Sequence, residues 1–337
     1  MYEMKTYIFT NIYSDYDYAK IAIVKSIERI GKNRGVKIYI DYPRDKAVKM
    51  SFLVRSGFSV KESFRKFRIL VGDRGVAIFY RPQRLDNLIV IFLTKYFTSV
   101  TVKVVVWENY GFKGVKSSQN ALHHKCLILF DSIGISLAMK WAKVILVNNL
   151  DYRQFVSPQI KLKISLFPNV LPIADIVREE NTYAWGLINV GTQDTNDYYD
   201  VLKCLESRNE LGCLIGGSEF DSLKAERFRN LSTEDYFSLL SRIDVIVVAF
   251  PCTIRNMCRF PNKLLDAIVY GRKVVCSDTE FLRSQFQDYE NIYWYSDDFT
   301  VVYDKALKAD YRLQKQHEFV NSYRSLTENI VLNQLLT

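Results

Sequence analysis

The stretch FPNKLLDAIVYGRKVV, Phe260 to Val275, decides the fold. Pro261 has no N–H to lose at the start of a helix, so a helix is expected over Asn262–Tyr270. Gly271 ends it, and Lys273–Ser277 is a β-branched run that reads as the next strand. Just upstream, VIVVAF closes a buried strand at Pro251, and a loop with Thr253, Arg255 and Arg259 leads into the helix. Strand, loop, helix and strand make one βαβ unit. The N–H groups of the first helical turn and the positive end of the helix dipole favour an anion there. Lys263 adds a full charge, and Asp266 lies one turn on, on the side of Asn262 and Lys263. The pattern offers a phosphate cradle beside a carboxylate that can accept ribose hydroxyls. A solvated Lys and Asp on a surface helix is the other reading of the same residues.

Working outward, the same alternation continues in both directions. Downstream come a helix at Glu280–Phe286, a strand at Ile292–Tyr295 and a helical tail over Tyr311–Leu336. Asp297 and Asp298 read as a helix cap rather than a metal site. Upstream, strands are expected at Trp185–Val190 and Cys213–Ile215, with a helix near Asp197–Ser207 between them. Ser232 starts a further helix, with Asp235 placed nearly as in a capping box. In the first half, strands are expected at Thr6–Thr10, Val36–Asp41, Phe67–Val71, Val76–Tyr80, Val100–Trp107 and Val144–Val147. Helices are expected near Asp17–Ile30, Asp86–Phe97 and Asn120–Trp141. Strands alternating with helices, many of them continuous apolar runs, argue for parallel sheets covered on both faces. Pro158, Pro168 and Pro172 are three of the seven prolines, and a polar stretch from Arg178 follows them. The expected organisation is therefore two domains, 1–172 and 173–310, with a helical tail over 311–337.

Composition narrows the class. The chain has 337 residues, 48% hydrophobic and 25% charged, which suits a folded protein with two cores. The opening MYEMKTYIFTNIY lacks a secretory pattern. The most apolar run, Leu88 to Trp107, is broken by Lys95 and Lys103, so a cytoplasmic protein is expected, one that touches a membrane without crossing it. The six cysteines form no CxxC pair and there are three histidines, so no metal site is expected. Cys213 and Cys276 read as core residues. The charge is uneven: residues 1–175 hold 28 Lys and Arg against 13 Asp and Glu, while residues 176–337 hold 18 against 24. A basic first half speaks of its partners.

FPNKLLDAIVYGRKVV resembles the donor motif of GT-B glycosyltransferases, close to FPxKLLEYxAxGxPVV. Other segments resemble that family in order: AKVILVNN (Ala142–Asn149), FPNV (Phe167–Val170), INVGTQ (Ile188–Gln193), LIGG (Leu214–Gly217) and STEDYFSLLSRIDVIVVAFP (Ser232–Pro251). The resemblance spans about Ala142 to Phe286. It implies a GT-B fold, two Rossmann-like domains facing across a cleft with the C-terminal helix crossing back. It also implies a sugar-nucleotide donor carrying UDP or GDP and no required cofactor or metal. Asp266 stands where the family has its ribose carboxylate. Lys263 and the adjoining amides would face the diphosphate, and Gly191, Thr192 and Gly217 would line the donor pocket. Two positions differ. Cys258 replaces a Glu that many retaining members carry, and the turn GTQDTND has no cation. The diphosphate charge then falls to Lys263 with Arg255 or Arg259.

An inverting transfer needs a base near the cleft. Glu108, in VVVWENYGF, follows a buried strand and holds the place of a His in the similar WHNYGY element of dolichol-linked mannosyltransferases. Asp15 is the second candidate. His123 and His124 begin a helix and fit a structural role. The basic first half suits an anionic membrane or a lipid-phosphate acceptor, with KESFRKFRIL (Lys61–Leu70) as the best local piece. No nucleic-acid module or P-loop appears, so nucleic acid is not expected. The expected function is transfer of a sugar to a glycan or lipid-linked acceptor. A sugar-nucleotide epimerase of the same fold and a non-catalytic nucleotide-sugar or glycan binder are the alternatives.

Overall fold

The structure is a computed structural model. It describes residues 5–10, 27–33, 35–41, 52–80, 82, 84–106, 122–168, 179–188, 196–216, 224–229, 231–250 and 260–336. The chain divides into two units. One holds Met1–Asn169 with Thr327–Thr337, and the other Val170–Leu326.

In the first unit, β1 (Lys5–Phe9), β2 (Lys37–Asp41), β3 (Gly75–Tyr80), β4 (Thr101–Val105), β5 (Val144–Val147) and β6 (Ile164–Leu166) form one sheet. Its order is β2-β1-β3-β4-β5-β6, and every pairing is parallel. Helices Phe52–Leu70, Leu85–Phe97 and Leu122–Trp141 connect these strands. Within the apolar run that starts at Leu88, residues 88–97 are helix and residues 101–105 are β4. None of the described helices is long and apolar enough to cross a membrane.

The second unit holds β7 (Tyr183–Ile188), β8 (Gly212–Ile215), β9 (Glu226–Phe228), β10 (Ile243–Val248), β11 (Lys273–Ser277) and β12 (Ile292–Tyr295). The order is β12-β11-β10-β7-β8-β9, again all parallel. Counted within the unit, this is the 3-2-1-4-5-6 arrangement of dinucleotide-binding folds. Val245–Val248 and Val274–Cys276 are apolar runs buried on both faces, as a sheet flanked by helices demands. Cys213 and Cys276 are buried core residues.

The last helix, Leu313–Leu336, begins in the second unit and ends in the first. Its terminal carbonyls are held within the first unit. Lys103, fully buried in β4, donates to the Gln334 carbonyl at 2.6 Å, and Thr6 Oγ1 donates to the Leu335 carbonyl at 2.9 Å. A cation there meets the negative end of the helix dipole. Burial pushes the Lys103 ammonium down to about 8.

Phe67–Val71 is not a strand. Phe67 to Leu70 is the last turn of the Phe52–Leu70 helix. Among its described side chains, Ser63, Lys66 and Leu70 are buried, a helical spacing, while Phe64 lies 61% exposed. The basic piece Lys61–Leu70 changes meaning accordingly. Lys66 is buried, with its Nζ 2.7 Å from Asp86 Oδ2 and 2.9 Å from Asn87 Oδ1. Arg65 binds Asp41 and Glu62. Two of its four cations serve the fold.

Gly212 faces the indole of Trp185, and a Cβ there would lie 1.9 Å from Cε2. Gly212→Ala is expected to cost about 1–3 kcal/mol of stability through overpacking. Lys66→Ala, which takes one of two cations from the buried Asp86 and leaves Arg84 at 3.1 Å, is expected to cost about 1–3 kcal/mol. Urea unfolding of both variants checks these values; a loss within about 0.5 kcal/mol contradicts the packing described.

Candidate donor site

Strand order in the second sheet reverses between β7 and β10, whose onward connections run to opposite sides. Ligands of open α/β sheets bind outside the carboxyl ends of the strands at such a point. Residues that follow β10 therefore hold the position of interest.

The carboxyl ends of β10, β11 and β12 are tied together by side chains. The Phe250 N–H donates to Ser277 Oγ at 2.9 Å, and that hydroxyl donates to Tyr295 Oη at 2.9 Å. Phe260 is buried against Phe281 and Phe286. Pro261 then stands at the N-cap with φ −71° and ψ 109°, and its carbonyl accepts from the Leu264 N–H at 2.9 Å. It sits one place earlier than a Pro at the first helical position. The helix is Asn262–Tyr270, as the sequence predicts. Leu264, Leu265, Ala267, Ile268, Val269 and Tyr270 are buried. The three residues left partly exposed are Asn262, Lys263 and Asp266. One stripe of this helix therefore carries an amide, an ammonium and a carboxylate.

Gly271 ends the helix for a spatial reason. Its φ is −77°, open to any residue, but a Cβ would lie 2.5 Å from the Ala267 carbonyl oxygen and 2.4 Å from Ile246 Cδ1. Close packing of helix on sheet requires glycine there.

The helix Thr233–Ser241 supports the stripe. Ser232 caps it, accepting from the Asp235 N–H at 3.1 Å. Phe237 stacks on Tyr270 with centroids 4.0 Å apart. That packing brings Tyr236 Oη to donate to Asp266 Oδ2 at 3.3 Å. Burial pushes the Asp266 carboxyl up to about 7, although Tyr236 and the Lys263 charge both pull it down. Burial likewise lowers Lys263, against the opposing pull of Asp266. Cation and carboxylate thus share a water-poor setting in which each has lost hydration.

The structure brings together Asn262, Lys263 and Asp266. Thr253, Arg255, Arg259, Gly191, Thr192, Gly217, Asp15 and Glu108 lie outside the described residues. Tyr236 was missed: an aromatic pair in an amphipathic helix carries no signal that one ring reaches a carboxylate thirty residues on. Asp298 is a cap, accepting from the Val301 N–H at 3.4 Å. Among the described residues, no group of His, Cys, Asp or Glu gathers to hold a metal ion.

The Asp266 shift has a stability consequence. Its folded pKa stands above the unfolded value of about 3.8, so the folded state keeps a proton that the unfolded state releases. The stabilisation is full below that unfolded value and lost as pH rises through about 7. Asp266→Asn should therefore raise the unfolding temperature, relative to the native chain, more at about pH 8 than at about pH 4. Thermal unfolding at the two pH values checks this; a variant that loses stability at the higher pH contradicts it.

No protein-family profile matches the chain, and no curated protein matches it. Solved structures do. An Escherichia coli trehalose-6-phosphate protein bound with UDP-2-fluoro glucose aligns over 98% of both chains, with TM-score 0.58 and 8% identity. A DNA-modifying β-glucosyltransferase, solved with and without uridine diphosphoglucose, aligns over 98% of both with TM-score 0.56 and 10% identity. A Listeria monocytogenes protein assigned as a UDP-N-acetylglucosamine 2-epimerase aligns over 98% of this chain and 95% of its own, with TM-score 0.53 and 10% identity. At these identities the likeness is one of fold, and the fold is the two-unit α/β architecture of GT-B proteins.

Proposed function

We propose that the chain is a glycosyltransferase that moves a sugar from a UDP- or GDP-sugar to a glycan or lipid-linked acceptor. The observation that carries this reading is the stripe of Asn262, Lys263 and Asp266 on an otherwise buried helix after β10, beside the strand-order reversal. A diphosphate would set its anionic oxygens against the Lys263 ammonium, and a ribose diol supplies donors that Asp266 can accept. Tyr236 occupies one carboxylate oxygen and fixes the plane of the group, leaving lone pairs for the diol. The ribose hydroxyls bind the ionised carboxylate, so donor binding competes with the proton that burial favours.

In this reading the departing diphosphate is balanced by Lys263 with Arg255 and Arg259, and the transfer calls for no metal or other cofactor. Gly191, Thr192, Gly217 and Thr253 line the remainder of the donor pocket. Glu108, with Asp15 as second candidate, takes the proton of the acceptor hydroxyl if the reaction inverts. A cytoplasmic setting follows from the sugar-nucleotide donor.

Two experiments test the reading. Lys263→Ala should weaken binding of a nucleoside diphosphate more than tenfold in calorimetry, since it removes a charge-assisted phosphate contact. Asp266→Asn should weaken the same nucleotide while leaving the affinity for inorganic pyrophosphate unchanged, because only the nucleotide brings a ribose. Unchanged nucleotide affinity in both variants overturns the assignment. The full-length likeness to a protein assigned as an epimerase keeps one other reading open. Incubation with a sugar nucleotide and no acceptor separates the two, as an epimerase converts the donor and a transferase leaves its sugar stereochemistry intact.

A further inference from the structure

The first unit carries an exposed apolar face that its fold does not use. Helices Leu85–Phe97 and Leu122–Trp141 lie side by side, joined where Phe92 meets Trp141 edge-on at 5.2 Å and Tyr96 at 4.9 Å. Ile133 and Leu137 continue the Trp141 stripe at helical spacing and are exposed. Where these helices end, Phe97 is 68% exposed, and Leu162, in the turn before β6, is 89% exposed. Exposed apolar side chains gathered at neighbouring helix ends mark a candidate interaction site.

Among the described residues, the helix ends and the turn before β6 carry lysines. Lys95 and Lys140 are exposed on the last turns of the two helices, and Lys161 is exposed beside Leu162. Lys163 is half-buried, and its Nζ donates to the carbonyls of Met139, Lys140 and Ala142. Lys95 lies near enough to help lower the Lys163 ammonium, after burial. Residues 87–106, 132–150 and 152–168 contain no Asp or Glu. A second copy of this chain docked face to face would set lysines against lysines. A nucleic acid would match the charge but leave Phe97 and Leu162 unpaired with anything apolar. Aromatic rings beside lysines, in segments that carry no carboxylate, suit one partner, the interface of an anionic bilayer, which accepts both.

We propose that the ends of the Leu85–Phe97 and Leu122–Trp141 helices, with Leu162, dock the protein on an anionic membrane surface. The cations are not those of Lys61–Leu70, where Arg65 and Lys66 are committed inside the unit. These helix ends lie at the edge of the first sheet where β4, β5 and β6 begin. The proposal thus concerns residence at a membrane, and none of its residues belongs to the donor stripe.

The test is co-sedimentation of the full chain with phosphatidylcholine vesicles, with and without phosphatidylglycerol. Binding should require phosphatidylglycerol and weaken as salt rises. The double variants Phe97→Ser with Leu162→Ser, and Lys95→Glu with Lys161→Glu, should each bind at least roughly tenfold more weakly. All four positions are exposed, so both variants should keep the native unfolding temperature and native nucleotide affinity. Nucleotide affinity is thereby read separately from docking. Failure to bind phosphatidylglycerol vesicles, or equal binding by native and variant chains, overturns the proposal. So does duplex DNA binding that needs the same lysines while vesicles are ignored, or a dimer that only Phe97→Ser with Leu162→Ser dissolves.

Discussion

A parallel sheet cannot be closed by hairpins, so each strand must leave its carboxyl end and return through a crossover. In the second unit that constraint places β7 and β10 side by side with connections departing in opposite directions. The crossovers that leave these two strands therefore diverge at their carboxyl ends. The Asn262–Tyr270 helix belongs to the crossover from β10 to β11, and its partly exposed stripe is therefore placed by topology before any side chain is chosen. The chemistry of the site follows from which residues occupy that stripe.

Those residues are held under electrostatic strain. Burial raises Asp266 and lowers Lys263, and their mutual attraction only partly offsets the lost hydration. A pair of this kind is weak evidence of structural purpose, since burying charge costs stability. Its setting suits a ligand that brings both an anion and hydroxyl donors. The packing of Phe237 on Tyr270 and the reach of Tyr236 to Asp266 make the helix Thr233–Ser241 part of the site's rigidity.

How much of this is legible in the sequence differs by residue. Asn262–Tyr270, Lys273–Ser277 and Ile292–Tyr295 are read with their true bounds because proline, glycine and β-branched runs mark each end. Ile164–Leu166 and Glu226–Phe228 escape, as three-residue edge strands carry no periodicity. The Phe299–Lys308 helix is anticipated only by its Asp298 cap. Phe67–Val71 misleads because FRILV is a short, mostly apolar run, which periodicity alone cannot tell from a buried strand. The partners of Arg65 and Lys66 just before it, Asp41 and Asp86, lie 24 and 20 residues away in sequence. The same long-range pairing hides the fate of Arg65 and Lys66, whose charges count toward the basic half. Lys263 and Asp266 are legible because their spacing is local, and Tyr236 is not because its contact is tertiary.

The central claim is that the stripe beside the strand-order reversal holds a sugar nucleotide. Thermal unfolding of the intact chain against a panel of UDP- and GDP-sugars tests it most directly, since a ligand that binds only the folded state raises the unfolding temperature. The account predicts a concentration-dependent rise with at least one member of the panel, and none with the free sugar. An unfolding temperature that no sugar nucleotide moves would contradict it.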